Sequence, residues 1–407
     1  MDDVEKDKEI QQAERVNLHL RGSNLSGVRA HNERLILSLV RQKGTMTKAE
    51  ISRNSGLSAQ TASVITRQLE ADGLLQRHTP IRGRVGQPST PLSIAADGAY
   101  FAGLKIGRRS LDLVIVDFLG NPVARRRRLH SYPTPAKVID FIATELPDAV
   151  NEMAAASRPK LQGLGIAMPF ELWNWMPADE APPEEMIAWK DCDIAAELGA
   201  TTGLPVSVRN DATAACEAEL VFGKSDRPRD FLYLYFGYFI GGGLVLDGRL
   251  FAGPTGNAAG VGPMPVIGPD RRMTRLMKVA SLSTLENALK EAGIDTDQLW
   301  RDPSRWNLPD SLLSQWIDGC AGAIASATLS AATILELDAV FIDGWIPEDI
   351  RARLVEAAQT RLQSLDLAGI AAPRYLPGSI GADARSLGGA ATALSTRYLV
   401  DQNALFT

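Results

Sequence analysis

The chain has 407 residues, of which 45% are hydrophobic and 22% are charged, and its formal net charge is −5. This length and composition predict a globular protein of two or three domains and exclude a fibrous or intrinsically disordered chain. The acidic residues 1–16 have no apolar core, and the longest uncharged apolar run, residues 231–246, is shorter than the ~20 residues that span a bilayer. We therefore expect a cytoplasmic protein with neither a signal peptide nor a membrane span.

Charge is distributed unevenly along the chain. Residues 1–20 carry three basic and six acidic side chains, residues 21–95 carry eleven and four, and residues 96–407 carry 29 and 38. The net charges of these segments are therefore −3, +7 and −9. A basic segment on an acidic body is typical of a protein that meets a polyanion at one end, although a solvated charged surface gives the same count. Residues 1–20 have no sustained apolar face, which predicts a disordered arm or a loosely attached helix.

Three short helices are predicted in the basic segment. Apolar residues recur at helical spacing from Asn32 and stop near Gly44, which suits the end of a first helix. Thr47 followed by Glu50 has the pattern of a capping box at the start of a second helix, which Gly56 ends. A third helix follows over residues 59–71, with apolar positions on one face and short polar or basic side chains on the opposite face.

A basic hairpin follows the helices. The stretch RHTPIRGRVGQPSTPLSI predicts a strand, a loop rich in Arg, Gly and Pro, and a returning strand. Arg82 and Arg84 at its tip suit contact with phosphate or insertion into a narrow minor groove, and a solvated loop is the alternative. Together these elements predict a winged helix-turn-helix over residues 21–95 that binds double-stranded DNA. The residues predicted to contact DNA are Ser58, Gln60, Thr61, Ser63, Arg67, Arg82 and Arg84.

The pattern changes at the start of the larger segment. Short apolar runs at Tyr100–Ile106, residues 111–117 and Pro122–Leu129 are joined by glycine-containing turns and predict an antiparallel meander. Helical stretches then alternate with strands at residues 163–167 and 205–208, and a second meander begins at residue 231. Residues 96–407 are therefore predicted to form two related α/β lobes, with the boundary near residue 210 and a cleft between them.

Six stretches carry a resemblance to a known family: RGSNLSGVRAHNERLILSLV, GRVGQP, LPVSVRNDATAACEAELVFG, GYFIGGGLVLDGRLFAG, PTGNAAGVGPMPVIG and GSIGADARSLGGAATAL. From residue 21 onward the chain resembles the ROK family, which includes sugar kinases and transcription regulators. The resemblance implies a two-lobed, actin-like ATPase fold of the ribonuclease H-like, sugar-kinase type for residues 96–407, with a C-terminal helix returning to the first lobe. It also implies that this domain binds an effector and dimerises.

The phosphate-binding turn departs from the family pattern. The resemblance places an Asp, followed by a Gly-Gly-Thr turn, after the first strand of the kinases. Here Lys105 takes the position of the Asp, and the turn reads Gly107-Arg108-Arg109. Losing a carboxylate and adding two bulky cations works against binding of ATP and magnesium. We therefore expect no catalytic residues, no cofactor and no enzyme activity.

The sugar site is only partly retained. By resemblance, Asp211 of Asn210-Asp211-Ala212 is the base that accepts a proton from the sugar hydroxyl, although both residues also suit a helix cap. A Glu, a His and a second Glu that contact sugar in the family fall on Gly260, Pro263 and Ser283. A ligand other than a common hexose is therefore expected. The predicted ligand-binding residues are Asn210, Asp211, Gly256 and Asn257.

A structural zinc site, which the family builds from one His and several Cys, is not expected. All four histidines precede residue 131, and the three cysteines are far apart. Tetrahedral zinc needs four such ligands close in space. The same spacing favours neither a disulfide framework nor a paired-cysteine metal clamp. The residues concerned are His19, His31, His78, His130, Cys192, Cys216 and Cys320.

Three functions remain open at this stage. The first is a transcription regulator, a repressor or else an activator, that binds a pseudo-palindromic operator as a homodimer or tetramer. A sugar or sugar derivative changes this binding. The second is a regulator whose cleft is vestigial. The third is an active sugar kinase with an accessory DNA-binding head. The several independent departures in the phosphate and zinc sites favour a regulator.

Overall fold

The computed structural model describes residues 25–81, 89–174, 183–224 and 226–400. The chain divides into two compact units. The first unit comprises the residues up to Ile94 together with those from Tyr398 onward, and the second comprises residues 95–397. The boundary predicted from the sequence lies one residue later, after residue 95.

Within the described residues, the first unit contains three helices and a two-stranded antiparallel sheet. Helix α1 contacts both other helices and the second strand, so one small apolar core joins all the elements. This order of elements is that of a winged helix-turn-helix, as predicted. The elements are α1 (Leu25–Lys43), α2 (Lys48–Ser55), α3 (Ala59–Ala71), β1 (Leu75–Arg77) and β2 (Leu92–Ile94).

The start and end of α2 confirm the predicted turn chemistry. The Thr47 hydroxyl accepts a hydrogen bond from the Glu50 amide, and the Glu50 carboxylate accepts one from the Thr47 amide at 2.8 Å. The capping box is therefore complete. Gly56 ends the helix in the left-handed region, at φ +71°, where a side chain would be strained. Ile51 is fully buried, as its inward position required.

Helix α1 is longer than predicted. It begins at Leu25, whereas apolar spacing placed its start at Asn32. Residues 27–31 are exposed, so they carry no apolar periodicity that would reveal a helix. A local ion pair stabilises this turn instead, because Arg29 Nε lies 2.9 Å from the Glu33 carboxylate one turn later.

The second unit has two lobes, each built on a five-stranded sheet. The strands of the first lobe are β3 (Tyr100–Ile106), β4 (Ser110–Asp117), β5 (Pro122–Leu129), β6 (Leu161–Met168) and β7 (Val206–Asn210). They lie in the order β5-β4-β3-β6-β7. The first three form the predicted antiparallel meander, and β6 and β7 add in parallel. The connecting helices are α4 (Pro135–Glu152), α5 (Pro183–Ile187) and α6 (Ile194–Thr202).

The second lobe repeats this topology. Its sheet has the order β10-β9-β8-β13-β14, with an antiparallel meander followed by two parallel strands. The uncharged run at residues 231–246 forms two of these strands, as predicted. The strands of the lobe are β8 (Phe231–Phe236), β9 (Ile240–Leu246), β10 (Arg249–Phe251), the hairpin β11 (Pro265–Ile267) and β12 (Met273–Arg275), β13 (Ala339–Gly344) and β14 (Arg374–Pro377). Its helices are α7 (Asp211–Phe222), α8 (Leu282–Glu291), α9 (Asp297–Arg301), α10 (Asp310–Ala332) and α11 (Glu348–Gln363).

The last helix, α12 (Ala384–Tyr398), packs against the sheet of the first lobe. A Cβ atom on Gly165 of β6 would lie 1.8 Å from the carbonyl oxygen of Gly389. A Cβ atom on Gly103 of β3 would lie 2.1 Å from the carbonyl oxygen of Ser386. The helix and sheet backbones can approach this closely only because both positions are glycine. Across the described part of the chain, none of the helices is both long and apolar enough to cross a membrane.

Candidate functional site

Helix α3 is the candidate recognition helix, and its start is fixed by a side-chain cap. Ser58 Oγ accepts a hydrogen bond from the Thr61 amide at 3.1 Å, and the two hydroxyls lie 2.9 Å apart. Two of the predicted DNA-contacting residues therefore hold each other at the first turn. Ser58 is exposed and Thr61 is half-buried, so the cap also places polar groups on the surface.

The outward face of α3 contains the other three predicted residues of this helix. Gln60 and Arg67 are exposed and Ser63 is half-buried, while the opposite face is buried in the core. Between them lies Val64, whose side chain is 54% exposed and which the sequence analysis did not select. Its position between Gln60 and Arg67 at helical spacing was the available signal. A major groove accepts such a helix, and an apolar side chain there can contact a thymine methyl group.

The hairpin after α3 is anchored to the recognition helix. The carboxylate of Glu70 on α3 pairs with Arg77 of β1 at 2.5 Å and with Lys48 of α2 at 3.2 Å. One acidic side chain thus ties the second helix, the third helix and the first strand of the wing. The predicted wing-tip residues Arg82 and Arg84 lie outside the described residues.

A cleft with a cavity volume of about 1320 Å³ opens in the second unit. Side chains from both lobes line it, as expected for a two-lobed fold. Three of the four predicted ligand-binding residues, Asn210, Asp211 and Asn257, are among them. Gly256 is not in the lining, and its backbone adopts a positive φ of 75° beside the ring of Phe170. These four assignments remain predictions.

Asp211, the residue that corresponds to the kinase base, is engaged in an ion pair. Its Oδ2 accepts a hydrogen bond from Arg385 Nη1 at 3.0 Å, and both side chains are about 15% exposed. Burial lowers the pKa of Arg385, but the interactions with Tyr235 and Asp211 outweigh burial and raise the pKa above its ordinary value. The guanidinium therefore stays charged. Asn210 caps α7 by accepting from the Ala212 and Thr213 amides. The carboxylate of Asp211 is therefore paired with a permanent cation.

The turn that would cradle nucleotide phosphate is built around a buried lysine. Lys105 donates to Asp112 Oδ2 at 2.5 Å and to Ser110 Oγ at 3.0 Å. Burial, reinforced by the charge of Arg385, lowers the pKa of Lys105 to about 8, although Asp112 opposes the shift. Burial also lowers the pKa of the neighbouring His130, which lines the cleft, to about 4. A cation at this position repels magnesium, so the residues present do not fit a magnesium nucleotide.

The two arginines of this turn reach across to the second lobe. Arg108 lies 4.2 Å above the ring of Tyr238, in the second glycine-rich loop. Arg109 lies 4.7 Å above the ring of Trp300 and donates to Glu286 at 3.0 Å. By resemblance, this is the turn whose backbone amides approach phosphate in a kinase. Residues of the turn therefore connect the two lobes.

The three positions that the resemblance assigns to the family's sugar contacts, Gly260, Pro263 and Ser283, offer the cleft few polar groups. Gly260 and Pro263 line the cleft and have no polar side chain to offer a ligand. Ser283 is buried, and its amide donates to the Tyr238 carbonyl at 3.1 Å. Thr255 and Asn257 are the polar side chains that remain on this wall.

A metal site is not evident among the described residues. No group of three or more His, Cys, Asp or Glu side chains within them is arranged to hold an ion. Cys216 and Cys320 are fully buried, and burial raises the pKa of both thiols well above the ordinary value. A thiol of raised pKa is a poor nucleophile and a poor metal ligand.

Comparison with known proteins identifies both units. Residues 29–76 match the model for winged helix-turn-helix DNA-binding domains, and residues 101–287 match the model for the ROK family. The chain carries a ROK family domain behind a DNA-binding winged helix-turn-helix. The predicted resemblance and fold class are thereby confirmed.

Two relatives match this chain over most of its length. Over 329 residues the chain is 26% identical to an uncharacterized protein of Sinorhizobium fredii (strain NBRC 101917 / NGR234), an alignment that covers 80% of this chain and 81% of the relative. Over 280 residues it is 23% identical to a putative xylose repressor of Caldicellulosiruptor sp. (strain Rt8B.4), covering 67% and 69% of the two chains.

Solved structures show that regulators and kinases share this fold. A ROK family transcriptional regulator, a homologue of the E. coli MLC protein, matches 93% of this chain and 100% of its own, with a TM-score of 0.67 and 19% identity. A ROK hexokinase from Thermus thermophilus matches 72% of this chain and 97% of its own, with a TM-score of 0.52 and 23% identity. At these identities the likeness concerns the fold, so activity must be argued from the site.

Proposed function

We propose that this ROK protein is a DNA-binding transcription regulator, acting as a repressor, whose operator binding is modulated by a small molecule in the cleft. The observation that carries the proposal is the recognition helix α3, which buries one face, is capped at Ser58 and presents Gln60, Val64 and Arg67 outward. Its unit has a net charge of +7 over residues 21–95. This combination suits the major groove of a polyanion.

Two further points support the effector function. The ROK domain forms a cleft lined from both lobes, and one of the relatives is named a putative xylose repressor. A ligand that contacts both lobes can favour one arrangement of the lobes over another. In a two-fold dimer, such a change alters the spacing of the DNA-binding heads. We infer a sugar or sugar derivative as effector, a homodimer or tetramer as the active form, and a pseudo-palindromic operator.

We further infer that the chain does not phosphorylate sugars. The carboxylate of Asp211 is paired with Arg385, and the phosphate turn holds Lys105, Arg108 and Arg109. Neither the base nor the phosphate site is therefore in the form that phosphoryl transfer requires. A coupled assay of ATP consumption over a panel of sugars is expected to show no turnover. Turnover that disappears in Asp211→Asn would contradict this inference.

Direct DNA binding tests the proposed function. An operator is first selected from a random duplex library, and its affinity for the full chain is measured at several salt concentrations. Arg67→Ala is expected to weaken binding by about 1–3 kcal/mol, while Arg374→Ala, an exposed arginine of β14 in the other unit, leaves it unchanged. A symmetric footprint supports the dimer. Failure to select any sequence, or an equal loss in both variants, would contradict the proposal.

A further inference from the structure

The cleft carries more positive than negative charge. Seven Lys and Arg side chains line it, against three Asp and Glu side chains. Two of these acids form ion pairs with two of these bases, so their charges cancel: Asp211 pairs with Arg385, and Asp297 pairs with Arg301. Of the five cations that remain, Arg275 belongs to the second lobe and four belong to the first; we call these four the cationic end and define it as Lys105, Arg108, Arg109 and Arg127. The ion pairs that these residues form with neighbouring carboxylates determine how much positive charge is left to interact with a ligand.

The first group of the cationic end is a row across three neighbouring strands. Lys105 of β3 is the register partner of Asp112 of β4, which in turn is the partner of Arg127 of β5. Asp112 Oδ2 lies 2.5 Å from Lys105 Nζ, and its Oδ1 lies 3.3 Å from Arg127 Nε. One carboxylate thus serves two cations, so the row keeps one net positive charge. The guanidinium of Arg127 lies 5.0 Å above the ring of Trp345.

The second group repeats this arrangement at the phosphate turn. Glu286 of α8 is only 3% exposed, and its Oε1 lies 3.0 Å from Arg109 Nη2 and 3.1 Å from Lys290 Nζ. Again one carboxylate is shared by two cations, so one positive charge remains. Arg109 is 43% exposed and lies over Trp300, so its guanidinium is fixed in place while part of it faces the cleft.

We propose that the cationic end binds the oxyanion of a small molecule directly, and that the effector is an anionic carbohydrate rather than a neutral sugar. A guanidinium held with its face on an indole ring keeps its N–H edge for hydrogen bonds, and its planar fork matches phosphate or carboxylate. Arg109 and Arg127 have this arrangement, and Arg108 lies in the same way on Tyr238. Where a kinase uses amides and a metal to hold phosphate, this chain supplies guanidinium groups.

The inference rests on the proposed effector function and sharpens it. Arg109 and Arg127 come from the first lobe, whereas Trp300, Glu286 and Trp345 on which they rest belong to the second. An anion bound among them therefore contacts groups whose positions depend on both lobes. That is the condition for a ligand to favour one arrangement of the lobes over another.

The test removes the surplus charges without stranding either carboxylate. In the double variant Arg109→Gln, Arg127→Gln, Glu286 retains Lys290 and Asp112 retains Lys105. The matched control is Arg374→Gln, which lies outside the cleft lining. The thermal midpoint and the affinity of the full chain are measured with inorganic phosphate, glucose 6-phosphate, glucuronate and glucose.

We expect at least one of the three anions to raise the thermal midpoint of the wild type and of the control, with glucose giving no shift. The double variant should lose at least tenfold in affinity for that anion. A shift with phosphate and its ester alone assigns the oxyanion to a phosphate group, and a shift with glucuronate alone assigns it to a carboxylate.

Three results would overturn the inference: no shift with any anion, an equal shift in the double variant, or an equal shift with glucose. The DNA-binding measurement distinguishes failure of this inference from failure of the proposed function. A chain that selects an operator but ignores anions remains a regulator without an anionic effector. A chain that binds anions but selects no operator keeps the cationic end and loses the regulator assignment.

Discussion

The recognition helix and the cationic end of the cleft both present arginines, but they hold them differently. Arg67 on α3 is exposed, and no ion pair is recorded for it within the described residues. Arg109 and Arg127 in the cleft are fixed by carboxylates and indole rings. A side chain that meets a long, deformable polyanion can be positioned by its partner, whereas a small ligand is recognised by groups that are already in place. The two regions therefore respond differently to mutation.

The largest effect is expected where a held cation neutralises a carboxylate. Arg385→Leu leaves Asp211, which is only 14% exposed, without its guanidinium partner. The free energy of unfolding should fall by about 3 kcal/mol, since removing one member of a buried pair strands the other charge. Urea denaturation measures this fall, and Arg385→Lys, which keeps the positive charge, should recover part of it. Equal stability of wild type and Arg385→Leu would show that water solvates the Asp211 carboxylate well enough to replace Arg385.

A smaller effect is expected on the recognition helix, where it should appear in binding and not in stability. Val64→Ala removes exposed apolar surface and should weaken operator binding by about 1 kcal/mol. Replacing the contacted thymine with uracil removes only the methyl group and should cause a similar loss. In the variant the uracil substitution should then have no further effect. Additive losses in the variant and the modified operator would place Val64 away from the thymine methyl.

The smallest effect is a pH dependence in the cleft. The pKa of Lys105 is about 8 in the folded protein and near 10.5 when the lysine is fully solvated. The unfolded chain therefore binds more protons between these values, so the contribution of this residue to stability rises as pH increases from about 8 to 10.5. Lys105→Met removes the titration while Asp112 keeps Arg127. The thermal midpoint of the wild type should therefore rise relative to that of the variant over that interval, and a constant difference would contradict the assignment.

Much of the fold could be predicted because its signals are local. The capping box at Thr47 and Glu50 and the glycine at residue 56 each act within a few residues, so the sequence records them directly. The first meander was likewise predicted from apolar runs and turns, and its boundaries agree within a residue. The early start of α1 was missed because its first turns are held by exposed charges rather than by an apolar face.

The candidate sites were predicted less completely. The sequence selected Asn210, Asp211 and Asn257, which line the cleft, and it indicated that residues 105–109 depart from the kinase pattern. It did not show that Val64 is exposed, since an apolar residue in a helix is buried more often than not. Nor did it pair Asp211 with Arg385, because the two are far apart along the chain and meet only when α12 packs against the first lobe.

The sequence by itself determined the two-unit organisation, the winged helix-turn-helix, the alternation of strands and helices, and the loss of the kinase's phosphate turn. These depend on composition, periodicity and residue types at fixed spacing, which chain order preserves. Only the tertiary structure decided which charges neutralise each other. Strand register places Asp112 between Lys105 and Arg127. Contact between the lobes pairs Arg109 with Glu286. Electrostatic interaction depends on distance in space and on burial, so a surplus of charge in a cleft appears only after the chain has folded.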